Sequence, residues 1–319
     1  MEIIEAERHS GAGVAGPVSR TAWSGEPFFV LGAQRSGTTM LRLMLNNHPR
    51  LAVPHETVYV TQFYRNLQRY GDLAQPANMR ALLDDIAAHP QVVKGRLIDD
   101  KEAVLGHDPA TYAELIDAIM TCYAQAQGKT RWGDKTPYYT LDIDVLHSIF
   151  PHAKFIQIVR DGRDVAMSQR QISWCSSNSF RLAEDWAHKT TLCHKVGRVL
   201  GPHQYLELRY EELVRDPEPV LRQVCDFLGE PFDAQMLHYH ETAKDVVPGD
   251  SLKWHRNSVR APDASKVFAW KNAMPESERI IFEEIAGPTL EYFGYERPPL
   301  KRSVLTRLRK MYLTVMNRW

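Results

Sequence analysis

Short apolar runs alternate with stretches of helical periodicity along this chain. Phe28-Phe29-Val30-Leu31 is an unbroken apolar run ended by Gly32. That is the pattern of a strand buried on both faces that runs into a loop. From Thr38 to Asn47, Met40, Leu41, Met44 and Leu45 fall at helical spacing, and Asn46-Asn47-His48-Pro49 stops the helix. Leu51-Ala52-Val53 reads as a second strand leading into Pro54-His55-Glu56-Thr57. Residues 58–127 read as mostly helical, punctuated by Pro76, Pro90 and Pro109, with the clearest helix over Tyr112–Ala126. Arg131-Trp132-Gly133-Asp134-Lys135-Thr136-Pro137 reads as a turn. Phe155–Val159 and Tyr205–Leu208 are further strands, helices run through about residues 182–200, and Pro217–Leu228 is a helix stopped by Gly229. Strands that alternate with helices predict a parallel sheet covered on both faces. Ligands of such sheets sit outside the carboxyl ends of the strands.

Composition narrows the function classes. Lys and Arg number 39, as do Asp and Glu, so the formal net charge is zero. A chain whose main task is gripping nucleic acid needs a basic domain, and this one has no such excess. The zero is uneven, however. Six of the 39 basic residues lie in the last twenty positions, which hold no acid, leaving 33 against 39 in the rest. Val304, Leu305, Leu308, Met311, Tyr312, Val315, Met316 and Trp319 fall near helical spacing there. Residues 300–319 therefore predict a basic amphipathic helix, packed on its own domain, at a homodimer contact, or on an anionic membrane surface. Residues 1–26 lack periodicity and predict a flexible leader, which leaves 27–299 as the folded domain. No run of about 18 apolar residues exists, so no spanning helix is expected. Cys122, Cys175, Cys193 and Cys225 are scattered without CxxC pairing and read as reduced thiols of a cytoplasmic protein.

The sharpest chemistry is Gly32-Ala33-Gln34-Arg35-Ser36-Gly37-Thr38-Thr39, placed between a strand and a helix. Its two glycines let the backbone wrap an anion. The N–H groups at the helix start point at that anion, and the helix dipole favours its charge. The spacing is GxxxxG, as in a nucleoside-triphosphate P-loop, but Thr-Thr follows where such a loop has Lys-Ser/Thr. A kinase would also need a Mg²⁺ carboxylate at a strand end, for which Asp161 is the nearest candidate.

These residues resemble the sulfotransferases that use 3′-phosphoadenosine 5′-phosphosulfate (PAPS). The loop resembles their 5′-phosphosulfate loop, and Val159-Arg160-Asp161-Gly162-Arg163-Asp164-Val165-Ala166-Met167-Ser168 resembles their second signature. The resemblance implies that Arg160 and Ser168 bind the donor's 3′-phosphate, a group that Arg can grip bidentately. The chain looks closest to the branch that includes tyrosylprotein sulfotransferases. His48-Pro49 and then Glu56-Thr57 resemble that branch's His-Pro turn and the Glu-Thr pair whose Glu is the base. Lys135 resembles its catalytic Lys, Tyr210 its strand-end Tyr near the nucleotide, and Ser251-Leu252 with Trp270 its donor-closing segment. The implied fold is α/β, P-loop NTPase-like and three-layered, with a central parallel sheet and helical insertions.

The implied activity is transfer of a sulfuryl group from PAPS to an acceptor hydroxyl, releasing adenosine 3′,5′-bisphosphate. PAPS is a co-substrate and no metal is required. Gln34, Arg35, Ser36, Gly37, Thr38, Thr39, Arg160, Ser168, Tyr210 and Ser251 are the expected donor-binding residues. Arg35 and Lys135 are expected to neutralise the leaving oxygen. Glu56 is expected to take the acceptor proton, with His55 as the alternative base. Ser258, Arg260 and Lys266 compete as later donor contacts, residues 171–180 could form a polar lid, and Tyr59, Phe63, Tyr64 and Tyr70 could line an acceptor pocket. Glycan, lipid, peptide tyrosine and small metabolite all stay open as acceptor. That branch carries a membrane anchor and disulfides, whereas this chain is expected in the cytoplasm, with a membrane contact only through its tail. The competing function is a small-molecule kinase or other nucleotide-dependent phosphotransferase.

Overall fold

The computed structural model describes residues 26–172, 175–246, 258–298 and 311. Five parallel strands form the sheet: β1 Phe28–Leu31, β2 Leu51–Ala52, β3 Arg131–Lys135, β4 Lys154–Val159 and β5 Tyr205–Arg209. Their order is β2-β3-β1-β4-β5, so β1 is central and the chain crosses it after β3. The result is the three-layer α/β arrangement expected of a P-loop-like fold.

The unbroken apolar run of β1 is explained by its two buried faces. Side chains alternate along a strand. Phe29 and Leu31 enter one core, with Leu115, Ile119, Trp132 and Phe155. Phe28 and Val30 enter the other, with Leu41, Met44, Leu221 and Val224. The first core is roofed by the helices Pro76–Ala87, Tyr112–Gln125 and Ile143–Ile149, the second by Thr38–Asn46 and Pro217–Leu228. A third cluster, with Val159, Trp186, Trp270 and Phe282, packs where β4 ends.

One element differs in kind from the sequence expectation. Arg131–Lys135 is an interior strand paired to β1 and β2, not a turn. All five of its residues are buried, and its charges conceal the strand pattern. Each charge has a partner: Arg131 donates to the carbonyl of Leu228 at 2.5 Å, Asp134 accepts from Thr57 and Thr136, and Lys135 pairs with Glu56. Buried charges survive only when paired in this way. Gly133 is required by the adjacent strand, because a Cβ there would stand 2.3 Å from the Phe28 ring.

Candidate active site

All five strands deliver their carboxyl ends to one cleft of about 740 Å³. The loop after β1 forms its floor. Gly32 and Gly37 have φ of 149° and 97°, and Arg35, at φ 74°, also occupies the left-handed region. A non-glycine residue there is uncommon, and such strain is held at functional sites by surrounding structure. Space is short as well: a Cβ on Gly37 would lie 2.4 Å from Cδ2 of Tyr210, and one on Gly32 2.6 Å from the Ile158 carbonyl. Gly37 is the N-cap of the helix Thr38–Asn46, and no side chain caps that end. The first N–H groups of this helix, uncapped by any described side chain, therefore form an anion site. Gln34, Arg35, Gly37, Thr38 and Thr39 line the cleft.

Glu56 and Lys135 meet above this loop. The Lys135 ammonium donates to Oε1 of Glu56 at 2.6 Å and to Oγ1 of Thr39 at 3.3 Å. The Lys135 side chain is 1 % exposed and that of Glu56 24 %. Burial pulls the Lys135 ammonium below its ordinary value, and the Glu56 carboxylate opposes the shift. Glu56 does not cap the next helix, Tyr59–Tyr64, whose N-cap is Val58 with no side-chain cap. The loop that carries it is held by Arg42, whose Nε donates to the carbonyls of Val53 and Pro54, each at 3.0 Å. His55 also lines the cleft. Burial first, and then Lys135, push its imidazole down to about 4, so the ring is neutral at neutral pH. His48, by contrast, is structural: Nδ1 accepts from the Arg50 N–H at 3.1 Å, so Nε2 donates to the Pro231 carbonyl at 2.8 Å.

The far end of the cleft holds the second motif. Arg160 leaves β4 and Ser168 lies on the helix Gly162–Gln169. The Arg160 guanidinium lies over the Tyr210 ring at 4.3 Å. It donates to the carbonyls of Arg35 and Lys266, each at 3.1 Å, while its buried Nε has no partner among the described residues. Its ion pair with Asp164 is long, 3.9 Å, and Asp161 belongs to another cation. Arg35 donates from Nε to Ser168 Oγ at 3.1 Å. Arg35, Arg160 and Ser168 therefore form one cluster, and in this structure Arg35 joins the Ser168 end. Burial first, then Arg160, lower the Arg35 value. A doubly cationic pocket with an unpartnered guanidinium N–H is the chemistry that accepts a phosphate.

Some expected residues lie elsewhere. Ser36 is 1 % exposed and its N–H is spent on the Ala33 carbonyl, so it does not line the cleft. Ser251 lies outside the described residues, as does nearly all of 300–319. Ser258 and Lys266 line the cleft, whereas the Arg260 carbonyl accepts from Tyr239. Trp270 is buried and does not line the cleft. It stacks on Arg163 at 3.5 Å, and its backbone N–H donates to Asp164 Oδ1 at 2.8 Å. Tyr59 is core, and Phe63 and Tyr64 pack against it. Phe63 and Tyr70 line a separate surface hollow. Of the lid segment 171–180, Gln171 lines the cleft while Asn178 caps the helix Ser179–Leu200.

The geometry can now be set beside known proteins. The Sulfotransferase family model matches residues 27–234. The chain belongs to the Sulfotransferase family. Protein-tyrosine sulfotransferase 1 of Homo sapiens is 26% identical over 84% of this chain and 69% of its own length. Protein-tyrosine sulfotransferase A of Caenorhabditis elegans is 24% identical over 85% and 67%. Among solved structures, the sulfotransferase domain of the Synechococcus PCC 7002 olefin synthase superposes with a TM-score of 0.60 at 26% identity, covering 86% of this chain and 96% of that one. This sulfotransferase takes PAPS as its co-substrate. The phosphotransferase alternative finds no support. Its candidate metal ligand, Asp161, is fully buried and bound to Arg163 at 2.7 Å.

Several residues of this sulfotransferase site were not legible in advance. Gln91 and Lys94, on the helix Pro90–Gly95, form one wall with Pro137 and Tyr138 beyond β3. Tyr138 is 54 % exposed, an aromatic ring held at the cleft mouth. Asp164 adds a buried carboxylate, pushed up to about 6 by burial while Arg160 opposes the shift. Charged and aromatic residues just past a strand end are the one signal that could have found Tyr138. Gln91 and Lys94 become neighbours of the site only through tertiary folding.

Proposed function

We propose that this sulfotransferase uses Glu56 as general base and Lys135 as the cation at the leaving oxygen, and that its acceptor is a peptide tyrosine or a similar exposed hydroxyl. The observation that carries the reading is the 2.6 Å contact between Glu56 and Lys135, with Thr39 of the phosphate loop 3.3 Å from the same ammonium. One group takes a proton and the other answers growing negative charge, and both stand at one end of the anion site.

The donor supplies the sulfuryl group, and this chain supplies the rest. Thr38 and Thr39, with the N–H groups of the helix start, hold the 5′-phosphate. Arg160, Ser168 and Arg35 hold the 3′-phosphate, and the Tyr210 ring flanks that cluster. Glu56 takes the acceptor proton as the acceptor oxygen bonds to sulfur and the bond from sulfur to the bridging oxygen breaks. Protonation of Glu56 removes the negative partner of Lys135. The ammonium is then released toward the leaving oxygen as that oxygen gains charge. Lys94, Gln91 and Tyr138 form the acceptor wall. The relatives' acceptor, protein tyrosine, and the exposed Tyr138 ring support the aromatic acceptor class. The four cysteines are free thiols, which supports work in a reducing compartment.

The test is turnover with PAPS and a chelator, comparing tyrosine peptides with the same peptides carrying phenylalanine, and with glycan, lipid and small-molecule alcohols. Sulfation confined to non-aromatic hydroxyls would remove the acceptor assignment. Loss of the reaction on chelation would remove the side-chain account of charge neutralisation.

A further inference from the structure

Glu56 and Lys135 are 79 positions apart and sit on separate segments, one after β2 and one at the end of β3. Their own contact is partly open to the cleft. What holds the two segments in register is a sealed layer directly behind them. Thr57, Asp134, Thr136 and Tyr139 are each no more than 1 % exposed. Thr57 Oγ1 donates to Asp134 Oδ2 at 2.5 Å, and Thr136 Oγ1 donates to Asp134 Oδ1 at 3.0 Å. The Thr57 N–H donates to Thr136 Oγ1 at 3.0 Å. Tyr139 lies 2.9 Å from Thr57 Oγ1 and accepts the Val60 N–H at 3.0 Å.

Proton counting gives this layer a single direction. Each hydroxyl has one proton. Thr57 and Thr136 both spend theirs on Asp134, so Tyr139 must donate to Thr57. The chain of donors then ends on the carboxylate, whose two oxygens each accept once. Neither an amide nor an alcohol reproduces that terminus, because each brings a proton to it. The layer also anchors Val58, a β-branched residue at φ 61°, immediately after Thr57. Such a conformation persists only where the surroundings over-determine it.

We propose that Asp134 and Thr57 are positioning residues that set Glu56 against Lys135. The proposal rests on the reading of Glu56 and Lys135 as base and cation. Asp134 touches no substrate; it acts through Thr57 and Thr136, one step behind the reacting groups. A catalytic group displaced by about 1 Å can lose about a hundredfold in rate, so a loosened Thr57 should register in turnover before it registers in binding.

The experiment compares Thr57→Val, Thr57→Ser, Asp134→Asn and Glu56→Gln in the full chain. The readouts are kcat, KM for PAPS, thermal midpoint and affinity for adenosine 3′,5′-bisphosphate. The expected result is that Thr57→Val and Asp134→Asn lower kcat by about ten- to a hundredfold with KM for PAPS within about twofold. Thr57→Ser, which keeps the hydroxyl, stays within about threefold of the parent. Equal losses in Thr57→Val and Thr57→Ser would overturn the proposal, because the methyl group and not the hydroxyl would then matter. An unchanged kcat in Thr57→Val beside an impaired Glu56→Gln would overturn it while leaving the base assignment standing. An unimpaired Glu56→Gln would remove the base assignment and the proposal with it. If Thr57→Val does not fold, Tyr139→Phe interrupts the same donor chain at its far end, and an unchanged kcat there overturns the proposal.

Discussion

Replacing Glu56 with Gln separates proton acceptance from the other tasks of the site. The exchange keeps the shape, and an amide oxygen can still accept from Lys135 at the position of the present 2.6 Å contact. Two things change. The carboxylate base is gone, which for a positioned general base costs about 10²- to 10⁴-fold in rate. Lys135 also loses the charge that opposes its desolvation. Its value, already lowered by burial, falls further, so the cation is lost at lower pH. The sign is definite: the basic limb of the kcat profile moves toward neutrality in the variant. Donor binding should change far less than kcat, since Arg160 and Ser168 keep their own contacts at the other end of the cleft. Initial rates at saturating acceptor across pH, with calorimetric titration of adenosine 3′,5′-bisphosphate, read all three effects. A kcat within about twofold of the parent would refute the reasoning. The base would then be His55, whose value of about 4 makes it a weak proton acceptor.

Other expectations follow from single contacts. Gly37→Ala places a Cβ 2.4 Å from the Tyr210 ring at φ 97°, and should weaken adenosine 3′,5′-bisphosphate binding by about 1–3 kcal/mol in calorimetry, with equal affinity refuting the loop geometry. Arg163→Met leaves Asp161 and Glu283 buried without their shared cation, since all three side chains are 0% exposed, and should destabilise the fold by about 3–5 kcal/mol in urea melts. A variant within about 1 kcal/mol of the parent would contradict this. Tyr138→Ala should raise KM for the acceptor and leave KM for PAPS within about twofold.

What the sequence disclosed follows from which residues carry their meaning locally. β1 and β4 show themselves as largely apolar runs because both faces of the sheet are covered there, and the edge strand β5 shows itself by Tyr205, Leu206 and Leu208. The phosphate loop is legible because glycine spacing between strand and helix is itself the geometry that binds an anion. Arg160 and Ser168 are legible for the same reason, since a strand end and about two helical turns fix their relation. β3 is not, because Arg131, Asp134 and Lys135 break its pattern and find their partners on distant segments. The helix Glu276–Tyr292 is hidden similarly: Glu278 and Glu283 are buried in it and Pro288 interrupts it. Aromatics at helical spacing, as after Glu56, are more often core than pocket, and burial decides for core in the case of Tyr59. The unevenness of the net charge is likewise clearer in three dimensions. Arg35 and Arg160 line one cleft and Lys135 stands just behind Glu56 of its wall, so a mildly acidic body meets its anionic donor with locally concentrated cations.

The central claim is that this cleft reads a nucleotide by its 3′-phosphate through Arg160, Ser168 and Arg35. The most direct measurement is the equilibrium affinity for adenosine 3′,5′-bisphosphate against adenosine 5′-monophosphate, in a chelator, for the parent and for Arg160→Ala. One charge-assisted hydrogen bond contributes about 1.5–3 kcal/mol, so the bisphosphate should bind at least about tenfold tighter, and Arg160→Ala should erase most of that preference. Equal affinities in the parent, or a preference that survives Arg160→Ala intact, would contradict the account.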